Sequence, residues 1–264
     1  MRRSGHFLAV VTILAAVGLP FGTLGIWSLA DRWFFPGLLP QSWGLRAWNY
    51  VFTTAGGQVV SALGQSIAVA AVTAAAAVLV ALPAARALGL YEFRGKDGLS
   101  ILLTLPLIVP PLSVAMGLHL WFIRMGLAET FVGVVAVHLT FCLPYAVFVL
   151  WGVFANYNPD FESQARSLGA SRPSVWLRVM LPMIMPGILV AGLFAFLLSW
   201  SQYLSTLIIG GGRLITLPVL LFALMGSGDR PVAAAVSLVF VLPAFVALLF
   251  SARHLGGRTL AGVR

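Results

Sequence analysis

Side chains that could move a proton, hold a metal or attack a substrate are sparse in this 264-residue sequence, and they stand apart. The seven acids are Asp31, Glu92, Asp97, Glu129, Asp160, Glu162 and Asp229. A proton relay through a bilayer wants carboxylates inside the apolar spans. Here each acid falls in a loop or at the end of an apolar run. His119 and His138 are isolated in apolar stretches, where a histidine is expected to satisfy itself within a helix bundle rather than ligate. The single cysteine, Cys142, can neither close an internal disulfide nor form a metal site alone, and reads as a small buried hydrophobe. No Gly-x-x-x-x-Gly-Lys-Ser/Thr run is present to cradle the phosphates of ATP. The sequence thus points to no catalytic residue, no metal and no cofactor.

A polar cluster does occur within one apolar stretch: Ser199, Trp200, Ser201, Gln202, Tyr203, Ser205 and Thr206. Hydroxyls in membrane helices often bond to their own backbone or to a neighbouring helix. Gln202 between Trp200 and Tyr203 is harder to place that way, so Trp200, Ser201, Gln202 and Tyr203 are candidates for lining a polar path. The Gly210-Gly211-Gly212 run behind them reads as a turn.

The elements that must carry these groups follow from composition. The chain is 60% hydrophobic and 9% charged, with mean hydropathy +1.00. Soluble domains carry about 25% charged residues, so too few polar groups remain here to cover a water-facing surface. The expected class is all-α: a polytopic integral membrane protein forming a single domain over residues 1–264. About six windows approach the roughly 20 apolar residues that a spanning helix needs: Phe7 to Ala30, Val59 to Leu88, Leu99 to Leu118 with a possible extension to Met125, Thr130 to Ala155, Pro186 to Ile209, and Val232 to Ala252. The first is longer than the 7–15 residues typical of a secretory signal, which favours an uncleaved helix. Pro106, Pro110, Pro111, Pro144, Pro218 and Pro243 interrupt the windows, as expected of kinked or cavity-lining helices. No internal repeat is visible, which disfavours an inverted-repeat carrier.

The net charge of +9 sits in the short gaps between apolar runs, a pattern that sets topology and meets anionic headgroups and argues against nucleic acid. With the N-terminus inside, the inner segments hold Arg2, Arg3, Arg86, Arg94, Lys96, Arg166, Arg172, Arg178, Arg253, Arg258 and Arg264. The outer ones hold only Arg32, Arg46, Arg124, Arg213 and Arg230. Positive charge favours the cytoplasm, so both termini are expected there. The first outer loop, Asp31 to Gln58, carries Trp33, Phe34, Phe35, Trp43, Trp48 and Tyr50, either as an aromatic belt or as an external docking surface.

Between the fourth and fifth windows the stretch from residue 157 to 182 is too polar to span, yet it is patterned to fold. Asn158 can cap a helix begun by Pro159, with Asp160 and Glu162 in its first turn. Phe161, Ala165 and Leu168 share one helical face. Gly169 reads as its stop, where a side chain would clash. Ser171 can cap a second helix with Pro173 in its first turn and Val175, Trp176, Val179 and Met180 along one stripe, ended by Pro182 and Pro186. A helical knob of this kind lies on a membrane or inserts into a partner.

This stretch resembles the signature of binding-protein-dependent ABC importer permeases: a Glu-Ala-Ala motif, a glycine after three residues, and Ile-x-Leu-Pro nine residues later. Ala165 matches the second alanine, Gly169 the glycine, and Leu181-Pro182 match outright, with Val179 in the isoleucine place. The Leu-Gly-Ala-Ser run through Gly169 and Ala170 is typical too. Helix count, the position of the motif and Trp48-Asn49-Tyr50 extend the resemblance over most of the chain. Ser163 and Gln164 stand where the motif's glutamate and first alanine sit, and Glu162 lies one residue early.

The resemblance implies a coupling helix that docks on a separate ATPase, with Glu162, Ala165, Arg166, Gly169, Ala170, Leu181 and Pro182 as its coupling residues. ATP hydrolysis would then belong to that partner, and this chain would be no enzyme. It further implies a second permease subunit, identical or different, an extracytoplasmic solute-binding protein, and an inner-membrane location. Arg166 and Arg172 could pair with acids on the ATPase or with lipid headgroups. The overall look is nearest to spermidine/putrescine-type permeases, whose subfamily includes iron, thiamine, sulfate and molybdate permeases. Many polyamine relatives have acids where Ser201 and Gln202 stand, and a polycation would want them. A self-sufficient channel or secondary carrier is the rival reading, but it leaves the knob unexplained.

Overall fold

A computed structural model describes residues 2–34 and 36–259. Phe35 of the aromatic loop and Arg264 of the inner charge set lie outside the described residues. The helices are α1 (Arg2–Ser28), α2 (Arg46–Asn49), α3 (Gly56–Leu90), α4 (Lys96–Ile108), α5 (Pro111–Arg124), α6 (Phe131–Ala155), α7 (Asp160–Ser167), α8 (Arg172–Val175), α9 (Leu181–Trp200), α10 (Leu204–Gly210), α11 (Leu217–Gly226) and α12 (Arg230–Thr259). One two-stranded antiparallel ribbon, β1 (Ala30–Arg32) with β2 (Ser42–Trp43), pairs Ala30 with Trp43 and Arg32 with Ser42. The all-α expectation holds, with this ribbon inside the first loop as the exception.

Four helices are long and apolar enough to cross a bilayer: Gly56–Leu90, Phe131–Ala155, Arg172–Trp200 and Arg230–Ser251. A fifth crossing is reached if α4 and α5 count as one broken span. The expectation of about six therefore stands at four or five by length and composition among the described residues. The Leu99 window is two helices bent by 103° at a break of residues 109–110. Val109 is extended, as the residue before a proline must be, and the Pro110 and Pro111 nitrogens cannot carry the hydrogen-bond ladder across. The extension to Arg124 is present as α5.

The fifth window also departs from expectation. Pro182 and Pro186 do not end a helix; α8 runs through residues 176–180 into α9 as a continuous 29-residue span, Arg172–Trp200. Residues Trp176–Met180 form one π turn, in which the Leu181 N–H donates to the Trp176 carbonyl five residues back. The wider turn comes just where the Pro182 ring would meet the carbonyl of Arg178 in a regular α-helix. The span then stops at Trp200, not Ile209, and residues 201–203 separate it from α10.

The chain divides into two compact units. In the first, Met1–Gly64 with Thr216–Pro243, Arg46 forks onto both Asp229 carboxylate oxygens at 2.9 Å. Trp27 stacks on Trp33 at 4.3 Å between centroids, and the Arg230 guanidinium lies 5.6 Å from the Trp27 ring centre. Phe34 and Trp43 of the aromatic loop are exposed.

The second unit, Gln65–Ile215 with Ala244–Arg264, is built on α3, α6 and α9. Ala77, Ala81, Ala85 and Leu88 of α3 meet Cys142, Leu150 and Phe154 of α6 and Ile184, Ala191 and Ala195 of α9. Small side chains let these helices approach closely, as packing without a hydrophobic driving force requires. At Gly187 an added Cβ would come within 2.4 Å of Val153 Cγ2. Cys142 is buried as expected, its thiol donating to the Ala195 carbonyl at 3.4 Å.

Candidate functional site

The knob forms as its pattern requires, with different packing. The Asn158 side-chain oxygen accepts from the Asp160 N–H at 2.9 Å and starts α7. The Gly169 N–H donates to Arg166 O at 2.9 Å and the Ala170 N–H to Ala165 O at 3.0 Å. This paired closure is the left-handed helix stop that favours glycine. Gly169 has φ +87°, and an added Cβ would meet nothing within 4 Å. Its constraint is therefore the backbone dihedral, not the steric clash expected from the sequence. Ser171 takes the position before α8 with extended backbone, but its hydroxyl makes no cap bond.

The predicted apolar face of α7 is not buried. Phe161 is 46% exposed and Leu168 89% exposed, with Ala165 half-buried between them. The inward residue is Glu162, 6% exposed. Its carboxylate accepts from Arg86 Nη2 at 2.8 and 3.1 Å, while Arg86 Nη1 lies 2.8 Å from Met180 Sδ. One guanidinium of α3 thus ties α7 to the π turn below α9. Nothing in local sequence spacing marks Arg86, 76 residues upstream, as this partner. Tyr157 sits beside the pair; burial, then the Glu162 carboxylate, push its hydroxyl up to about 12, with Arg86 opposing. Arg166 Nε donates to the Glu162 carbonyl at 3.3 Å. Ala170 and Leu181 are half-buried and Pro182 is exposed.

The polar cluster occupies the break between α9 and α10. Trp200 is 3% exposed and stacks on Phe196 with centroids 5.9 Å apart. Ser201 is exposed and its hydroxyl donates to Leu198 O at 3.0 Å; Gln202 and Tyr203 are half-buried. Ser205 donates to Gln202 Oε1 at 2.8 Å.

His138, isolated in an apolar stretch of the sequence, joins this cluster in the structure. His138 Nδ1 is 2.8 Å from Ser199 Oγ and Nε2 is 2.8 Å from Thr206 Oγ1, all buried. The one proton of the Thr206 hydroxyl goes to Gln202 O at 3.1 Å, so Thr206 accepts from Nε2–H and Ser199 donates to Nδ1. His138 is thus the satisfied bundle histidine expected, and it clamps both sides of the helix break to α6. His119, half-buried on α5, has no such partner among the described residues. Gly210 ends α10, and Gly211 and Gly212 form the turn after it at φ +55° and +79°. No group of three or more His, Cys, Asp or Glu that could hold a metal occurs among the described residues.

Residues 77–260, more than half of the chain, match the family model described as binding-protein-dependent transport system inner membrane component. The molybdenum transport system permease protein ModB of Mycobacterium tuberculosis is 30% identical over 267 residues, spanning 96% of this chain and 95% of that one. The spermidine/putrescine transport system permease protein PotC of Haemophilus influenzae is 26% identical over 211 residues, 80% and 82% of the two chains. Among solved structures, a bacterial ABC transporter involved in import of the acidic polysaccharide alginate superposes with TM-score 0.72 at 17% identity, covering 96% of each chain. A likeness at that identity shows the fold.

Proposed function

The chain belongs to the family of binding-protein-dependent transport system inner membrane components, and on that premise we propose that it is the permease subunit of an ATP-driven importer, coupled through its α7–α8 knob to a separate ATPase. The observation that carries the coupling is the knob itself. A rigid turn closed at Gly169 presents Phe161 and Leu168 to a partner, and the Arg86–Glu162 bridge anchors it to α3 and the π turn. A rigid knob anchored on membrane-crossing helices transmits rigid-body motion. Ala165, Gly169 and Ala170 shape its outer surface; Arg166 turns back onto the Glu162 carbonyl; Leu181 and Pro182 set the π turn at its root; Glu162 acts inward as an anchor. Both termini and the knob are cytoplasmic in this reading, on the bias of Arg and Lys between segments.

The chain supplies half of a translocation path, completed by a second permease subunit, identical or different. The α9–α10 break carries Ser201, Gln202 and Tyr203, and irregular backbone at membrane depth is tolerated where it lines a cavity. The cargo is a small polar solute, delivered by an extracytoplasmic binding protein. The relatives' names span molybdenum and polyamines, so they support the class and no single member.

The test is gentle affinity purification from the native membrane with mass spectrometry of the accompanying chains. Recovery of an ABC-type ATPase supports the reading. Recovery of this chain alone in repeated mild detergents contradicts it and favours a self-sufficient channel or carrier.

A further inference from the structure

At the root of the knob, within the second unit, lies an open pocket of about 270 Å³ walled by Arg86, Tyr91, Glu162, Arg166, Arg172 and Trp176, with Val175 at its side. It holds three guanidinium groups and one carboxylate, and that carboxylate is already taken by both bonds from Arg86. Arg172 makes no ion pair among the described residues, and Arg166 uses only its Nε, on a backbone carbonyl. Two cationic groups therefore face a cavity with no anion to meet them.

The level of the pocket in the fold says what anion reaches it. Arg86 is the only charged residue of α3, four residues before its end at Leu90, and Arg172 is the first residue of the Arg172–Trp200 span. Both stand where an apolar run meets water. Tyr91 and Trp176, 57% and 43% exposed, line it, and aromatic side chains of this kind are enriched at headgroup depth. Phe161 and Leu168, the exposed side chains of α7, do not line the pocket, so an occupant there leaves the outer face of the knob open.

We propose that this pocket binds the phosphate of an anionic phospholipid from the leaflet on the knob's side, with Arg166 and Arg172 as donors and Arg86 held in place by Glu162. Guanidinium forks match phosphate oxygens, and basic pockets between membrane helices are suited to lipid headgroups. The site is independent of whether the knob docks on an ATPase.

The experiment is native mass spectrometry of the full chain, with any subunits that accompany it, released from vesicles of equimolar phosphatidylglycerol and phosphatidylcholine. The expected result is retained phosphatidylglycerol in preference to phosphatidylcholine. That preference should fall about thirtyfold in the Arg166→Gln/Arg172→Gln variant, at roughly 1 kcal/mol per arginine. It should survive in Arg94→Gln and Arg178→Gln, which lie outside the pocket, and return in part in Arg166→Lys/Arg172→Lys, the lysine variant, which restores the charge without the fork. Equal retention of both lipids, or an unchanged preference in the double glutamine variant, overturns the proposal. Displacement of phosphatidylglycerol by inorganic phosphate alone at millimolar concentration assigns the site to a soluble anion and overturns the lipid source. Loss of preference in the lysine variant as well marks a structural defect rather than lost charge, and also counts against it.

Discussion

Arg86, near the end of α3, and Glu162, in the first turn of α7, form a two-pronged ion pair at 2.8 and 3.1 Å, with the acid's side chain only 8% exposed. It ties the knob to α3. Removing one partner strands the other. Arg86→Ala should lower stability by roughly 2–4 kcal/mol, somewhat below the cost of a fully buried lone charge because Arg86 remains 29% exposed. Pairing Arg86→Met with Glu162→Gln should recover much of the loss. Thermal unfolding of the four-member cycle in detergent reads the coupling directly.

Gly169 sits at φ +87° with open space around its α-carbon. Gly169→Ala and Gly169→Trp should therefore share the same backbone strain, about 1 kcal/mol. They should part in function. Membrane insertion is expected to survive in both, while the tryptophan variant alone abolishes uptake and loosens the ATPase. Uptake assays beside quantified co-purification distinguish the two; equal activity would mean that nothing docks over this turn.

His138 spans Ser199 and Thr206 at 2.8 Å each. His138→Phe puts an apolar, somewhat larger ring in the site, leaves the Ser199 hydroxyl without its acceptor, and leaves Thr206 only its bond to the Gln202 carbonyl. A loss of about 1–3 kcal/mol is expected, the cost of a buried hydroxyl left unmet. A neutral result in the melting temperature would show that the break between α9 and α10 is held by other contacts.

Tyr157 gives a pH signature of the knob. Its hydroxyl is pushed from 10.0 up to about 12, so the folded chain keeps this proton longer than the unfolded one does. The sign follows: below pH 10 the group contributes nothing to the pH dependence, and stability falls as pH rises from 10 towards 12. Tyrosinate absorbance should show a late transition that Tyr157→Phe removes.

How much of this was legible in the sequence depends on the range of each interaction. Local signals carried well: Asn158, Asp160 and Gly169 act within one turn, and the apolar windows marked the long helices. The stop at Gly169 was legible, but its cause was not, because free space around a residue depends on distant chain. The Arg86–Glu162 pair was invisible, since it joins residues with no shared pattern. The bend at Val109–Pro110 and the π turn before Pro182 both arise from prolines that the sequence displayed. One proline pair broke its helix and the other was absorbed by a wider turn, a choice made by packing rather than by the residue. The polar stretch at Ser201–Tyr203 stands out in the sequence, but the helix break there, held on both sides by His138, depends on the position of α6.

The most direct test of the account places a photo-crosslinking amino acid at Leu168, the 89%-exposed side chain at the end of α7, in the chain within its native membrane. A covalent adduct with an ABC-type ATPase subunit is expected, lost when the knob is altered by Gly169→Trp. Crosslinks only to lipid or to another copy of this chain, with the ATPase present in the same membrane, would contradict it.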